Sequence, residues 1–250
     1  MAFAPPLAPN KPHPPPWAAV RGGFMFKSRV EVSISDTDGF NDLPPSLIAW
    51  LVAALLRLQV YSPVRLSVLG NMPLSKIGEN SREGVAVAFE AAPNQIGIYK
   101  SQESKVTPDD LAWLKELLPV AARLYDDERF ARAFSVYEQA QWSPTIEMSA
   151  VLVWTAIEAL FDLGAERDKT RAICKALSDY VSTSRADRDR AYQVIQDLYK
   201  KRGRVVHVGR SVDPSDFMQS LQLARVAFRR VLIDGELPMS PDFRIQHFCD

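Results

Sequence analysis

Residues 145–163, TIEMSAVLVWTAIEALFDL, decide how the chain is read. Their apolar side chains run around most of the helical circumference, and a helix of that kind is stable only when neighbours cover it on several sides. The pattern predicts the central helix of a bundle. Upstream, Ser143-Pro144 breaks the chain after a helix predicted over residues 128–141, where Phe130, Phe134 and Tyr137 recur at helical spacing. Further back, Thr107-Pro108-Asp109-Asp110 joins a cap, a proline at the first helical position and acids in the first turn. The helix it starts carries Leu111, Leu114, Leu117 and Leu118 and continues past Pro119 towards Tyr125. Downstream, helices are predicted over 168–181 and 187–201, the second with a stripe of Ala191, Val194, Ile195, Leu198 and Tyr199. A last helix begins at Asp213-Pro214-Ser215-Asp216 and carries Phe217, Leu221, Ala224, Phe228 and Leu232.

The N-terminal part reads differently. Residues 24–35, 64–69, 84–91 and 95–99 are rich in aromatic and β-branched types and are predicted as strands. Residues 47–60, LIAWLVAALLRLQV, fall short of the roughly 20 apolar residues a membrane span needs and are interrupted by Arg57, so they predict a buried helix. The expected fold class is α+β, a small N-terminal α/β unit followed by an all-α helical bundle. The expected divisions are a proline-rich disordered tail at 1–20, the α/β unit at 21–104, the bundle at 105–236 and a C-terminal tail at 237–250.

The chain of 250 residues, 47% hydrophobic and 24% charged, has the composition of a folded protein and excludes disorder over most of its length. Its two cysteines, Cys174 and Cys249, build neither a disulfide framework nor a cysteine zinc site, and a reducing cytoplasm is expected. A formal net charge of zero excludes a dedicated polycationic nucleic-acid scaffold. The balance is uneven, however: residues 165–230 hold fifteen Lys or Arg against eight Asp or Glu. Such a polarity presents a basic face to an anionic partner, or else consists of solvated helix faces with internal pairs.

Of the histidines, His13 and His247 fall in the terminal tails, which leaves His207 as the one in a predicted folded element. It ends DLYKKRGRVVHVG, where the predicted helix runs out at Arg202-Gly203. An imidazole beside guanidinium groups suits phosphodiester cleavage without a metal, because it exchanges a proton near neutral pH while the cations stabilise charge on phosphorus. The competing reading of His207 is a helix-terminal histidine that bonds free carbonyls.

Three pieces together resemble the HEPN superfamily, most closely its Apea-like branch. They are VLVWTAIEALF preceded by RFARAFSVYEQA, the LYKKR helix end, and GRVVHVG, spread over residues 129–230. The resemblance implies a dimeric helical bundle and a metal-independent endoribonuclease of a toxin or defence system, without cofactor or metal. It places the family's Arg-x4-His pair on Arg202 and His207, with Arg202 on the scissile phosphate and His207 as general base or acid. Glu158, with Asp162 as the alternative, matches the acidic residue that orients the arginine. Lys200, Lys201, Arg204 and Arg210 are candidate contacts to the RNA backbone. Implied partners are RNA, a second copy of the chain and an antitoxin or regulatory protein, with no membrane. Active members commonly carry a polar residue after the arginine, where Gly203 stands here; that departure favours the alternative, a catalytically inactive HEPN module that binds RNA, nucleotide or protein.

Overall fold

The computed structural model describes residues 2–4, 18–19, 24–25, 30–35, 37–40, 42–60, 64, 66, 68–73, 87–89, 105–164, 168–208 and 211–239, with 2–4, 18–19, 24–25, 87–89 and 206–208 described by their backbone alone. Along the chain run β1 (Ala2–Ala4), β2 (Ala18–Ala19), β3 (Phe24–Met25), α1 (Pro45–Val60), β4 (Val68–Gly70) and β5 (Val87–Phe89). The remaining elements are α2 (Pro108–Tyr125), α3 (Glu128–Ala140), α4 (Ile146–Phe161), α5 (Lys169–Val181), α6 (Arg185–Val208) and α7 (Pro214–Asp234). In one sheet β1 lies between β2 and β3, parallel to the former and antiparallel to the latter. In the other, β4 pairs antiparallel with β5, Leu69 opposite Ala88.

The expected α+β class is corrected by these elements: the fold is predominantly helical, and no described strand exceeds three residues, short of the usual five or so. Of the strand predicted over 24–35, Phe24–Met25 is the part that is strand among the described residues, 30–35 have no regular structure and leave Val30 and Val32 exposed, and 26–29 lie outside the described residues. Of the strands predicted over 64–69 and 84–91, the described residues show Val68–Gly70 and Val87–Phe89 as strand, and residues 65, 67, 84–86, 90–91 and 95–99 lie outside the described residues. The reason is physical: β-propensity records how a side chain fits a pleated, half-buried surface, and that surface has to exist. The apolar face that would have covered a sheet belongs to α1, and α1 gives it to the helices. Leu51, Ala54, Leu55 and Leu58 sit in one continuous core with residues of α2, α3, α4 and α7.

Two arginines lock α1 in place. Arg57, 4% exposed, donates from Nε to Glu138 Oε2 on α3 at 2.8 Å and from Nη1 to the Val64 carbonyl at 2.6 Å, and its Nη2 also reaches Glu138. Gln141 Nε2 donates to the other Glu138 oxygen at 2.8 Å. From α7, Arg225 Nε donates to the Leu58 carbonyl at 2.6 Å, satisfying an acceptor that the last turn of α1 leaves free.

The helix starts follow their local chemistry. Thr107 and Asp110 form a reciprocal capping box at α2, Thr145 caps α4, Asp168 caps α5 and Asp213 caps α7 with proline behind it. Helix α4 ends at Asp162 and α7 at Gly235, both left-handed with φ of 42° and 71°. Between them an aromatic cluster of Phe130, Phe134, Tyr137 and Phe228 fills the core, the Tyr137 and Phe228 rings 4.9 Å apart. Burial of each such ring contributes about 1.5–3 kcal/mol. One boundary departs from expectation: α6 does not stop at Gly203 but continues to Val208. A glycine inside a helix costs only about 1 kcal/mol relative to alanine, and a β-carbon at Gly203 would meet nothing within 4 Å.

Candidate functional site

The site lies where α6 crosses α4. On α6, Tyr199 and Arg202 stand three residues apart; on α4, Trp154 and Glu158 stand four apart, so each pair shares one helix face. The two faces meet. Tyr199 donates its hydroxyl to Glu158 Oε1 at 2.7 Å, and Arg202 Nη2 lies 3.5 Å from Glu158 Oε2. The Arg202 guanidinium is also 5.7 Å from the centre of the Tyr199 ring, which in turn meets Trp154 edge-on at 5.2 Å. Burial and the Glu158 hydrogen bond push the Tyr199 phenol up to about 12, so it remains a donor throughout the physiological range.

Arg202 is held without being used up. Its side chain is 18% exposed, and its Nε is buried with no hydrogen-bond partner among the described residues. Such a donor is costly unless something accepts from it. Beside it opens a cavity of about 200 Å³. Trp154, Leu198 and Phe217 supply apolar wall, Arg202 and Arg204 lie on the α6 side, and Asp213 and Asp216 lie at the start of α7.

The other predicted site residues divide. Lys201 lines the cavity but lies 2.8 Å from both Asp197 and Asp216, and these partners hold its ammonium well above the usual lysine range. Arg204 is exposed and has no ion pair or hydrogen bond with the described residues. Lys200 points its ammonium at Gln196 Oε1, 3.2 Å away on the exposed side of α6. Arg210 lies outside the described residues. His207 belongs to the last turn of α6, which places its backbone roughly 7.5 Å along the axis from Arg202 and about 140° around it. Asp162, the alternative acid, ends α4 as its cap while Glu158 makes the pair.

Sequence reasoning missed two features. Tyr199 was assigned to core packing, and its signal, a tyrosine one turn before the arginine, is indistinguishable from the apolar stripe it continues. Asp213 and Asp216 were read only as the start of a helix, yet they also line the cavity. Among the described residues no three His, Cys, Asp or Glu side chains cluster as metal ligands, and no helix is long and apolar enough to cross a membrane. Cys174 is buried, and burial pushes its thiol up to about 11, which keeps it a packing residue rather than a nucleophile. Comparison with protein-family models, curated proteins and solved structures finds no match.

Proposed function

We propose that the protein is a HEPN-type, metal-independent endoribonuclease of a toxin or defence system, acting in the cytoplasm as a homodimer under the control of an antitoxin or regulatory protein. The observation that carries the reading is Arg202: a guanidinium braced by Glu158 and Tyr199, with a buried, unpartnered Nε beside a cavity. The part of the guanidinium that lines the cavity offers a phosphate oxygen a charge-assisted bond, about twice as strong as a neutral one.

In the proposed step His207 takes the proton of a ribose 2′-hydroxyl as that oxygen attacks phosphorus. The bond from phosphorus to the 5′-oxygen breaks, that oxygen takes a proton from water, and a 2′,3′-cyclic phosphate remains. Arg202 stabilises the charge on the phosphorane oxygens, the kind of interaction whose removal costs roughly 10²–10³ in rate. End-labelled RNA incubated with the protein in EDTA tests this. Cleavage is expected from the wild type and is lost in both His207→Ala and Arg202→Ala.

A second reading, an inactive RNA-binding HEPN module, is favoured by one observation. Helix α6 runs unbroken through Gly203, so Arg202 and His207 start from different sides of one helix. RNA binding that depends on Arg202 but not His207, without cleavage, selects that module.

A further inference from the structure

The Arg202 cavity is not a track for a polyanion. Three cations line it, but Lys201 is committed to Asp197 and Asp216, which leaves Arg202 and Arg204. Two carboxylates, Asp213 and Asp216, line the same cavity, and a run of phosphates laid through it would meet like charge there. The lining also has an apolar part, made of Trp154, Leu198, Phe217 and the half-buried Val205. The volume, about 200 Å³, lies below the roughly 300–1,000 Å³ of sites for drug-sized ligands, so it suits one ring system.

A ligand that satisfies all three surfaces has one anionic group, a flat apolar body and hydrogen-bond donors on the edge away from the anion. Asp213 Oδ1 accepts from Ser215 N at 2.8 Å and from Ser215 Oγ at 2.6 Å, and Asp216 Oδ1 accepts from Lys201 Nζ at 2.8 Å. A carboxylate has about four lone-pair sites, so both retain acceptor capacity. Adenine, cytosine and guanine carry an exocyclic amino group with two N–H donors, one for each carboxylate, whereas uracil offers the single N–H of its ring N3.

We propose that the cavity seats one unstacked nucleotide of the RNA, its phosphate at Arg202 and Arg204, and that Asp213 and Asp216 select a base with an exocyclic amino group over uracil. The assignment rests on the RNA reading of the Arg202 site and adds what fills the space beside the phosphate. Asp213 stays ionised for this task, because its bonds from Ser215 hold it below the usual carboxylate range.

The test uses the full chain. Inorganic phosphate and the 5′-monophosphates of adenosine, cytidine, guanosine and uridine are titrated calorimetrically, and labelled oligo(A) and oligo(U) are titrated by fluorescence anisotropy. The amino-bearing nucleotides are expected to bind at least about tenfold more tightly than uridine monophosphate or phosphate, a difference read directly as a ratio of Kd values. Oligo(A) is expected to outrank oligo(U). Val205→Phe, which fills the cavity from its half-buried edge, is expected to reduce every nucleotide to the affinity of phosphate. Asp213→Asn keeps a good helix cap but removes the charge, and is expected to narrow the gap between adenosine and uridine monophosphates. Circular dichroism confirms that each variant is folded. RNA binding with nucleotides no tighter than phosphate, or with uridine monophosphate equal to the others, overturns the base pocket and leaves the RNA reading standing. Failure of the folded protein to bind any RNA or nucleotide overturns both.

Discussion

Among the described residues two arginine–glutamate pairs stand at helix seams, and they are built to opposite ends. At the α1–α3 seam Arg57 and Glu138 are each 3% exposed at the side chain, and Val64, Gln141 and Trp142 complete their surroundings. At the α4–α6 seam Arg202 and Glu158 are 18% and 33% exposed, their contact is 3.5 Å, and the arginine keeps a buried donor unused beside a cavity. A sealed, satisfied pair fixes where a helix docks. An open one leaves a cation on the wall of a cavity, where the proposed phosphate would sit. Under the proposed function the same two residue types serve structure in one place and chemistry in the other, and what separates them is whether every donor already has its acceptor.

The comparison breaks most sharply at Glu138. Glu138→Ala strands a buried guanidinium, and a loss of about 3–5 kcal/mol of stability is expected, measured by urea denaturation. The double variant Arg57→Met, Glu138→Leu removes both charges and is expected to recover most of that loss. A double variant as unstable as the single one contradicts the view that the pair is a docking device.

Arg202→Ala is the counterpart. Its pair is partly solvated, so the stability change is expected to stay below about 1 kcal/mol, while RNA cleavage falls by roughly 10²–10³. Tyr199→Phe follows with a smaller effect. It removes one hydrogen bond to Glu158, worth about 0.5–1.5 kcal/mol, and is expected to weaken RNA binding while leaving the fold intact by circular dichroism. If the tyrosine were mere packing, phenylalanine would leave affinity unchanged.

The smallest effects are those of pH. The Tyr199 phenol titrates near 12 in the folded protein and near 10 unfolded, so its contribution is complete below about pH 10 and fades as pH rises towards 12. Denaturation midpoints at pH 9 and 11.5 are expected to drop further in wild type than in Tyr199→Phe. At the acid end the sign reverses. Asp110, Asp187 and Asp213 are held below their ordinary carboxylate value, chiefly by bonds from Thr107, Ser184 and Ser215. Their contribution is present above about pH 4 and is lost as pH falls through the lowered values.

These contrasts show which parts of the molecule are legible from residues alone. Helix starts are, because Thr107 with Asp110 and Asp213 with Pro214 act within one turn and need no distant partner. Strands are not, because residues 30–35 carry strand-like side chains and have no regular structure, while Phe24–Met25 find a neighbouring strand. The end of α6 was misplaced because Gly203 reads locally as a stop, whereas the bonds from Lys201 to Asp216 and from Tyr199 to Glu158 hold the helix against α7 and α4. Arg57 gave a misleading local signal as well, since it looked like an interruption of an apolar run and its partner stands 81 residues away. Arg202 and Glu158 were paired through family resemblance, and nothing in their spacing of 44 positions announces the contact.

The most direct test of the account is the RNA affinity of Arg202→Ala, measured by fluorescence anisotropy in EDTA at low salt beside its unfolding free energy. At least about a tenfold loss of affinity is expected, with stability within about 1 kcal/mol of wild type. Unchanged RNA affinity, or a stability loss as large as that of Glu138→Ala, would place Arg202 with Arg57 as a structural residue and contradict the assignment of the α4–α6 seam as the functional site.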